Sequence, residues 1–225
     1  MIKQLIFKLR AVMYPLPKKS TVASFDVDAQ KTFTPLCPQE LPVPGGTEIV
    51  AELNAQARFA SLRLASKDSH SAQALWVADA AHPPLSAITT PHMDCYWPVH
   101  AVPGTLGFES LPGLPAIADY DHVVWKGVEL DMHPYGACYH DLDEKLSTGV
   151  LEFLQVRGIR CIIVGGLATE YCVKITALQL RRAGFDVVVN LAACRGLDPI
   201  AIEKAVQEMK AAGIFFVAAA SEFQP

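Results

Sequence analysis

The sequence predicts a three-layer α/β fold, with a mostly parallel six-stranded sheet and helices on both of its faces. Short apolar segments alternate along the chain with segments of helical periodicity. The apolar segments are hydrophobic throughout, which is typical of parallel strands covered on both sides. With 225 residues, 51% of them hydrophobic, the chain has enough apolar surface for one sizeable core.

The predicted elements follow one another from Val22 onwards. The strands are the run that starts at Val22, then 62–66, 122–126, 161–164, 186–190 and 214–217. Apolar residues at helical spacing predict helices over 47–60, 143–157, 169–183 and 199–212. A glycine follows each of the last three helices, as expected for a helix end. The long, proline-rich stretch 71–121 has no clear periodicity, and such loops in compact domains are often functional.

The chain divides into a short extension and one domain. Residues 1–20 mix basic and apolar side chains without a span long enough to cross a bilayer. They lack the sequence of regions that marks a secretory signal. We therefore expect an extension that packs on the domain or frays. The alternative is an amphipathic anchor at a membrane surface. Residues 21–225 are predicted to form a single domain.

Composition excludes several classes of function. The formal net charge is −4, whereas a nucleic-acid-binding face needs an excess of basic residues. The chain contains no glycine-rich phosphate loop. Its six cysteines include no C-x-x-C pair, and a chain of this length needs no disulfide framework. We therefore predict a reduced, cytoplasmic protein; the sequence leaves open whether it forms a homo-oligomer.

Three reactive side chains follow predicted strands, at the edge where parallel sheets bind ligands. Cys172 falls in the first turn of a helix for which Thr169 is a plausible cap, where free N–H groups favour a thiolate and could hold an oxyanion. A buried structural cysteine explains that position equally well. Asp28 follows the first strand, and Lys126 ends the third. Asp26 is a rival carboxylate, but it lies deeper in the apolar run, so Asp28 is expected to be the exposed one.

A second cluster has the residue types of a metal site. Asp68 and His70 are two residues apart at a strand end and so point the same way. His100 could supply a third ligand, which would leave open positions on the metal. The D-x-H spacing alone is a weak signal. Such a ligand set suits zinc, iron or manganese, and we favour zinc.

Taken together, these residues resemble the nicotinamidase branch of the isochorismatase-like hydrolases, whose fold is Rossmann-like. The resemblance runs in order from about Val22 to Val217. It is carried by the segments VDAQ with Phe33 (27–33), LPVPGG (41–46), KDSH (67–70), WPVH (97–100), WKG (125–127), GLATEYCV (166–173) and ACRG (193–196). Each segment is weak alone, but their order is specific.

The resemblance implies an amidohydrolase that converts nicotinamide to nicotinate and ammonia through a cysteine thioester, as in NAD salvage. Cys172 would be the nucleophile, Asp28 the general base and acid, and Lys126 the third member of the triad. The backbone N–H groups of Ala168 and Cys172 would form the oxyanion hole, after a cis peptide between Leu167 and Ala168.

The resemblance also implies the binding residues. The metal ligands would be Asp68, His70 and His100. The residues that hold the substrate ring would be Phe33, Trp97 and Tyr135.

The chain departs from the family pattern around the expected metal site. Ser69 stands between the two ligands, where the family often has an aromatic residue. Some members have a further histidine shortly after the second ligand, where this chain has Ala74 or Trp76. The stretch 71–96 matches poorly.

Three other interpretations remain. The nearest is a related cysteine hydrolase acting on a ureido or carbamoyl amide, which generally lacks the metal ligands. A non-catalytic binding protein on the same fold is a second, although such a copy would be free to lose the cysteine, aspartate and lysine together. A thiol redox sensor that pairs Cys172 with Cys138 is a third and would need the two sulfurs within disulfide reach.

Overall fold

A computed structural model describes residues 13–224 and confirms the predicted α/β architecture. Numbered along the chain, its strands are β1 (Tyr14–Pro15), β2 (Val22–Val27), β3 (Leu62–Asp68), β4 (His122–Lys126), β5 (Cys161–Leu167), β6 (Asp186–Arg195), β7 (Phe215–Val217) and β8 (Phe223–Gln224). Six of these strands form one parallel sheet in the order β4-β3-β2-β5-β6-β7, and the short strands β1 and β8 pair separately.

Helices cover both faces of this sheet, so the three layers are present. They are α1 (Val50–Ala57), α2 (Val150–Val156), α3 (Lys174–Arg182) and α4 (Pro199–Ala211). Alternate residues of β5 point to opposite faces: Ile162 packs in the core beneath α2, α3 and α4. Ile163 packs in a second core on the face that α1 covers. Burial on both faces is the reason the strands are apolar throughout.

Several strands extend further than the sequence predicts, and their ends carry polar side chains. β3 runs to Asp68 instead of ending at Ser66, and residues 66–68 are buried. Asp68 pairs with Lys126 in the β3–β4 register. The strand order reverses between β2 and β5, which is the switch point where open α/β sheets bind ligands. Asp28 and Cys172 follow these two strands.

The helix predicted over 143–157 is wrong in its first half. The structure has a turn there, because the Asp141 carboxylate accepts hydrogen bonds from the backbone N–H groups of Lys145 and Leu146. Gly149 then adopts a left-handed conformation (φ 86°), and the helix begins only at Val150. Leu146, assigned to the apolar face by its spacing, is exposed.

The described part of the N-terminal extension packs on the domain. Tyr14–Pro15 pairs in parallel with Phe223–Gln224, and the Tyr14 ring lies 5.3 Å from the Phe215 ring. Residues 1–12, which carry most of the basic segment, lie outside the described residues. No helix within 13–224 is long and apolar enough to span a membrane.

Candidate active site

The three predicted triad residues lie together at the switch point. The Lys126 amine is 3.0 Å from Asp28 Oδ2 and 3.7 Å from Cys172 Sγ. It also forms an ion pair with the Asp68 carboxylate. All four side chains are buried. One cation therefore contacts two carboxylates and the sulfur.

The charges in this cluster shift the pKa values in opposite directions. Burial alone disfavours a charged amine, but Asp28, Asp68 and Cys172 hold the pKa of Lys126 above its usual value. Burial raises the pKa of Asp28, only partly offset by Lys126. Burial would also raise the pKa of Asp68, but Lys126 and His70 outweigh it and the pKa falls. Asp28 is thus the carboxylate suited to accept and return a proton.

Both aspartates of β2 and its loop are buried. The expectation that Asp28 is exposed is therefore wrong, whereas Asp26 is buried as expected. Asp26 accepts hydrogen bonds from the guanidinium of Arg63 (2.7 Å) and the hydroxyl of Tyr120 (2.9 Å), and burial raises its pKa to about 6. The difference lies in their partners: Asp28 faces the lysine and the sulfur. Its backbone is left-handed (φ 45°), a conformation that aspartate adopts more readily than most residues.

The hydroxyl of Ser66 orients the Asp28 carboxylate. It donates a 2.6 Å hydrogen bond to Oδ1, and the Asp28 N–H in turn donates to the Ser66 carbonyl (3.1 Å). Oδ2 is left to face Lys126. Ser66 was not predicted, although it lies two residues before Asp68 on the same face of β3.

The helical segment after β5, which contains Cys172, begins differently from the prediction. Thr169–Val173 form a π-helical turn with Ala168 as the N-cap residue, and the Thr169 side chain makes no capping hydrogen bond. Single π turns are frequent at functional sites. Burial raises the pKa of the Cys172 thiol well above its usual value, against the effect of Lys126. This direction is opposite to the one expected from the helix end, because burial outweighs the nearby cation. The Leu167–Ala168 peptide is cis.

The predicted metal ligands also converge. His70 Nε2 lies 3.4 Å and His100 Nε2 3.9 Å from Asp68 Oδ2. The Nδ1 atoms of the two histidines are 2.9 Å and 2.7 Å from the backbone carbonyls of Gly127 and Pro98. A carbonyl only accepts, so in a neutral ring each Nδ1 carries the hydrogen and each Nε2 presents a lone pair. Burial lowers the pKa of His100 to about 3, which keeps its ring neutral. A divalent metal ion fits this arrangement.

His133 is a member of this cluster that the sequence did not reveal. One ligand atom from each of His70, His100 and His133 lies within 4.8 Å of the others, and all three rings are buried. His133 lies in the irregular segment between β4 and α2, with no spacing that relates it to Asp68 or His70.

A second trio of ligand-type atoms, from Asp28, Asp68 and Cys172, also lies within 4.8 Å. The amine of Lys126 occupies the space among them. A metal ion there would meet a fixed positive charge, so we assign this trio to the triad.

Gly127 makes room for the metal cluster. Its backbone is left-handed (φ 68°), and a Cβ atom there would lie 2.2 Å from His70 Cε1. The same residue holds Nδ1 of that ring with its carbonyl.

A pocket with mainly apolar walls connects the two clusters. Phe33, Trp97 and Tyr135 line it, as the resemblance implies. Tyr135 is held by hydrogen bonds, accepting from Trp97 Nε1 (3.2 Å) and donating to Asp94 (2.7 Å). Further lining residues, not predicted individually, are Leu41, Val43, Tyr171 and Leu197. Leu41, Val43 and Tyr171 lie within the segments that carry the resemblance.

Comparison with known proteins identifies the family of this chain. The isochorismatase domain family matches residues 115–221. The chain is 30% identical over 192 residues to the nicotinamidase of Acinetobacter baylyi, covering 84% of this chain and 88% of the relative.

Two solved structures share the fold closely. A nicotinamidase/pyrazinamidase of Acinetobacter baumanii superposes with a TM-score of 0.84 at 27% identity, over 92% of this chain and 99% of the other. A pyrazinamidase of Pyrococcus horikoshii, solved in complex with zinc, gives a TM-score of 0.70 at 28% identity, over 88% and 98% of the chains. The chain belongs to the nicotinamidase branch of the isochorismatase-like hydrolases, and it is an amidohydrolase.

Proposed function

We propose that the protein hydrolyses nicotinamide to nicotinate and ammonia through a thioester on Cys172, as a step of NAD salvage in the cytoplasm. The observation that carries the proposal is the position of the Lys126 amine. It contacts Asp28, Asp68 and Cys172. Cys172 and Asp68 line the same pocket as His100 and His133. The A. baylyi relative is named a nicotinamidase.

The first half of the reaction forms the thioester. Asp28 takes the thiol proton as the sulfur of Cys172 attacks the amide carbon. The N–H groups of Ala168 and Cys172 hold the negative oxygen of the tetrahedral intermediate. Asp28 then returns the proton to the departing nitrogen, and ammonia leaves.

The second half releases the acid. Asp28 accepts a proton from a water molecule that attacks the thioester carbon, and the proton passes to the sulfur as the carbon–sulfur bond breaks. Lys126 lets a carboxylate and a thiolate lie side by side, because its charge offsets their repulsion.

Asp68, His70 and His100 would hold one divalent metal ion, with zinc preferred over iron or manganese. When bound, such an ion supplies an electron-pair acceptor for a ring nitrogen, while the rings of Phe33 and Trp97 enclose the substrate. The P. horikoshii pyrazinamidase solved with zinc supports this choice.

Removal of the metal tests the substrate and the site together. We expect the purified protein to release ammonia from nicotinamide, and treatment with 1,10-phenanthroline to lower the rate by about 100-fold or more. Added Zn²⁺ should restore it. Ammonia release that survives removal of the metal would contradict the metal's role. If nicotinamide gives no ammonia while Cys172 still reacts with iodoacetamide, ureido and carbamoyl amides become the substrates to test.

The two buried aspartates provide a matched pair of variants. Asp28→Asn removes the proton acceptor and should lower kcat by at least about 10³-fold, within the usual contribution of general acid–base catalysis. Asp26→Asn should keep kcat within a few-fold and lower only the stability, because Asp26 contacts Arg63 and Tyr120. Steady-state kinetics and thermal unfolding of both variants make the comparison. Equal losses of kcat would mean that Asp28 is not the base.

A further inference from the structure

We propose that His133 is a fourth protein ligand of the metal site, in addition to Asp68, His70 and His100; this rests on the metal site of the proposed function.

The side chain of His133 is buried without a partner. Only 4% of the residue is exposed, and neither ring nitrogen has a hydrogen-bond partner within residues 13–224. His70 and His100 differ, because Nδ1 of each is held by a backbone carbonyl. A buried polar group without a partner is costly, and a metal ion that accepts the lone pair of one nitrogen removes part of that cost.

The position of the ring fits a shared ion. His133 stacks on His70 with ring centroids 5.2 Å apart, and its centroid is 6.0 Å from that of His100. The three ligand atoms lie within 4.8 Å of one another. Neighbouring donors around a tetrahedral zinc ion, with bonds of about 2 Å, are about 3.3 Å apart. Small rotations of the side chains would close that difference.

The surrounding chain holds the ring in place. The N–H of His133 donates to the carbonyl of His92 (2.8 Å), and Nε1 of Trp76 donates to the carbonyl of Met132 (3.1 Å). The indole of Trp76 also packs on the rings of His70, His100 and His133, at centroid distances of 4.6, 5.4 and 4.5 Å.

Three imidazoles and one carboxylate give the site a definite chemistry. More imidazole ligands favour zinc, iron or copper over manganese and magnesium. With four protein ligands, a ring nitrogen of a substrate must take a fifth position, which zinc can provide by expanding its coordination.

The test is the affinity for Zn²⁺ itself, measured on the metal-free full-length protein by competition with a chromophoric chelator. His133→Phe keeps an aromatic ring and removes both nitrogens, and we expect it to weaken Zn²⁺ binding by at least about 10-fold. The control is His82→Gln, an exposed histidine paired with Asp79, which should bind Zn²⁺ like the wild type. The visible spectrum of the Co²⁺-loaded protein should change only in His133→Phe.

The outcomes separate this proposal from the proposed function. Unchanged Zn²⁺ affinity and an unchanged Co²⁺ spectrum in a folded His133→Phe protein would overturn the fourth ligand, whether or not the wild type hydrolyses nicotinamide. If His133→Phe binds Zn²⁺ more weakly and the wild type does not hydrolyse nicotinamide, His133 is supported as a metal ligand and nicotinamide is refuted as the substrate. Circular dichroism of the metal-free proteins checks the fold, and His133→Gln replaces the phenylalanine variant if that one does not fold.

Discussion

Replacement of Cys172 by alanine is expected to lower ammonia release from nicotinamide by at least about 10⁴-fold, because loss of the nucleophile removes the covalent route entirely. Pocket-lining residues remain in place, so ligand binding should change little. Initial rates with excess enzyme measure the loss. Mass spectrometry of acid-quenched wild-type protein should show a covalent adduct of the nicotinoyl mass on the peptide that contains Cys172.

Cys37→Ala is the matched control for this experiment. Cys37 is also a buried free thiol, but it is not among the residues that line the pocket. We expect this variant to retain wild-type turnover. Full activity in Cys172→Ala, or an adduct on another cysteine, would exclude the thioester proposed here.

Replacement of Lys126 by methionine should damage activity and stability together. Methionine has a similar length but no charge, so Asp28 and Asp68 would remain buried without their common cation. Breaking a buried ion pair from one side typically costs about 3–5 kcal/mol of folding free energy. We expect kcat to fall by about 10²- to 10³-fold, the effect of removing one electrostatic stabiliser. Urea unfolding and steady-state kinetics measure the two losses.

The loss of stability in Lys126→Met should depend on pH in a defined direction. Without the lysine, two carboxylates within 4.8 Å of each other repel, and the pKa of one of them rises further in the folded state. The folded state then binds more protons than the unfolded state, so stability falls as pH rises. The deficit relative to wild type should therefore be smaller at pH 5 than at pH 8.

Lys67→Met provides the control for a lost buried lysine. The Lys67 amine lies 3.9 Å over the ring of Phe108 and contacts no triad residue. This variant should keep its turnover. The bridging role would be contradicted by a Lys126→Met protein that is as active as Lys67→Met. It would also be contradicted by a stability deficit relative to wild type that is the same at both pH values.

The layered fold, and the convergence of Asp28, Lys126 and Cys172, were predictable from the sequence for one physical reason. Parallel strands covered on both faces must be apolar, so polar residues directly after them mark the edge of the sheet, and Asp28 and Lys126 were found in this way. Burial was harder to predict. Asp26 and Asp28 look alike in sequence, and only their partners across the sheet distinguish them.

His133 and the start of α2 show where local patterns fail. His133 comes close to His70 because two hydrogen bonds hold its irregular segment against the loop that contains His92 and Trp76. One joins the backbones of His133 and His92, and the other runs from the Trp76 indole to a backbone carbonyl, and such contacts have no sequence period. The residues before Gly149 have helical spacing, but the Asp141 carboxylate offers their N–H groups a competing partner. Side-chain capping of a turn can override periodicity in this way.

Two adjacent residues, Lys126 and Gly127, connect the triad residues to the histidine cluster. The side chain of Lys126 contacts the sulfur of Cys172, and the carbonyl of Gly127 lies 2.9 Å from Nδ1 of His70. One planar peptide joins them, so a shift of the backbone at this point would move the cation beside the sulfur and a predicted metal ligand together. Under the proposed function, a change of backbone conformation at Gly127 would therefore disturb the metal site and the triad at once.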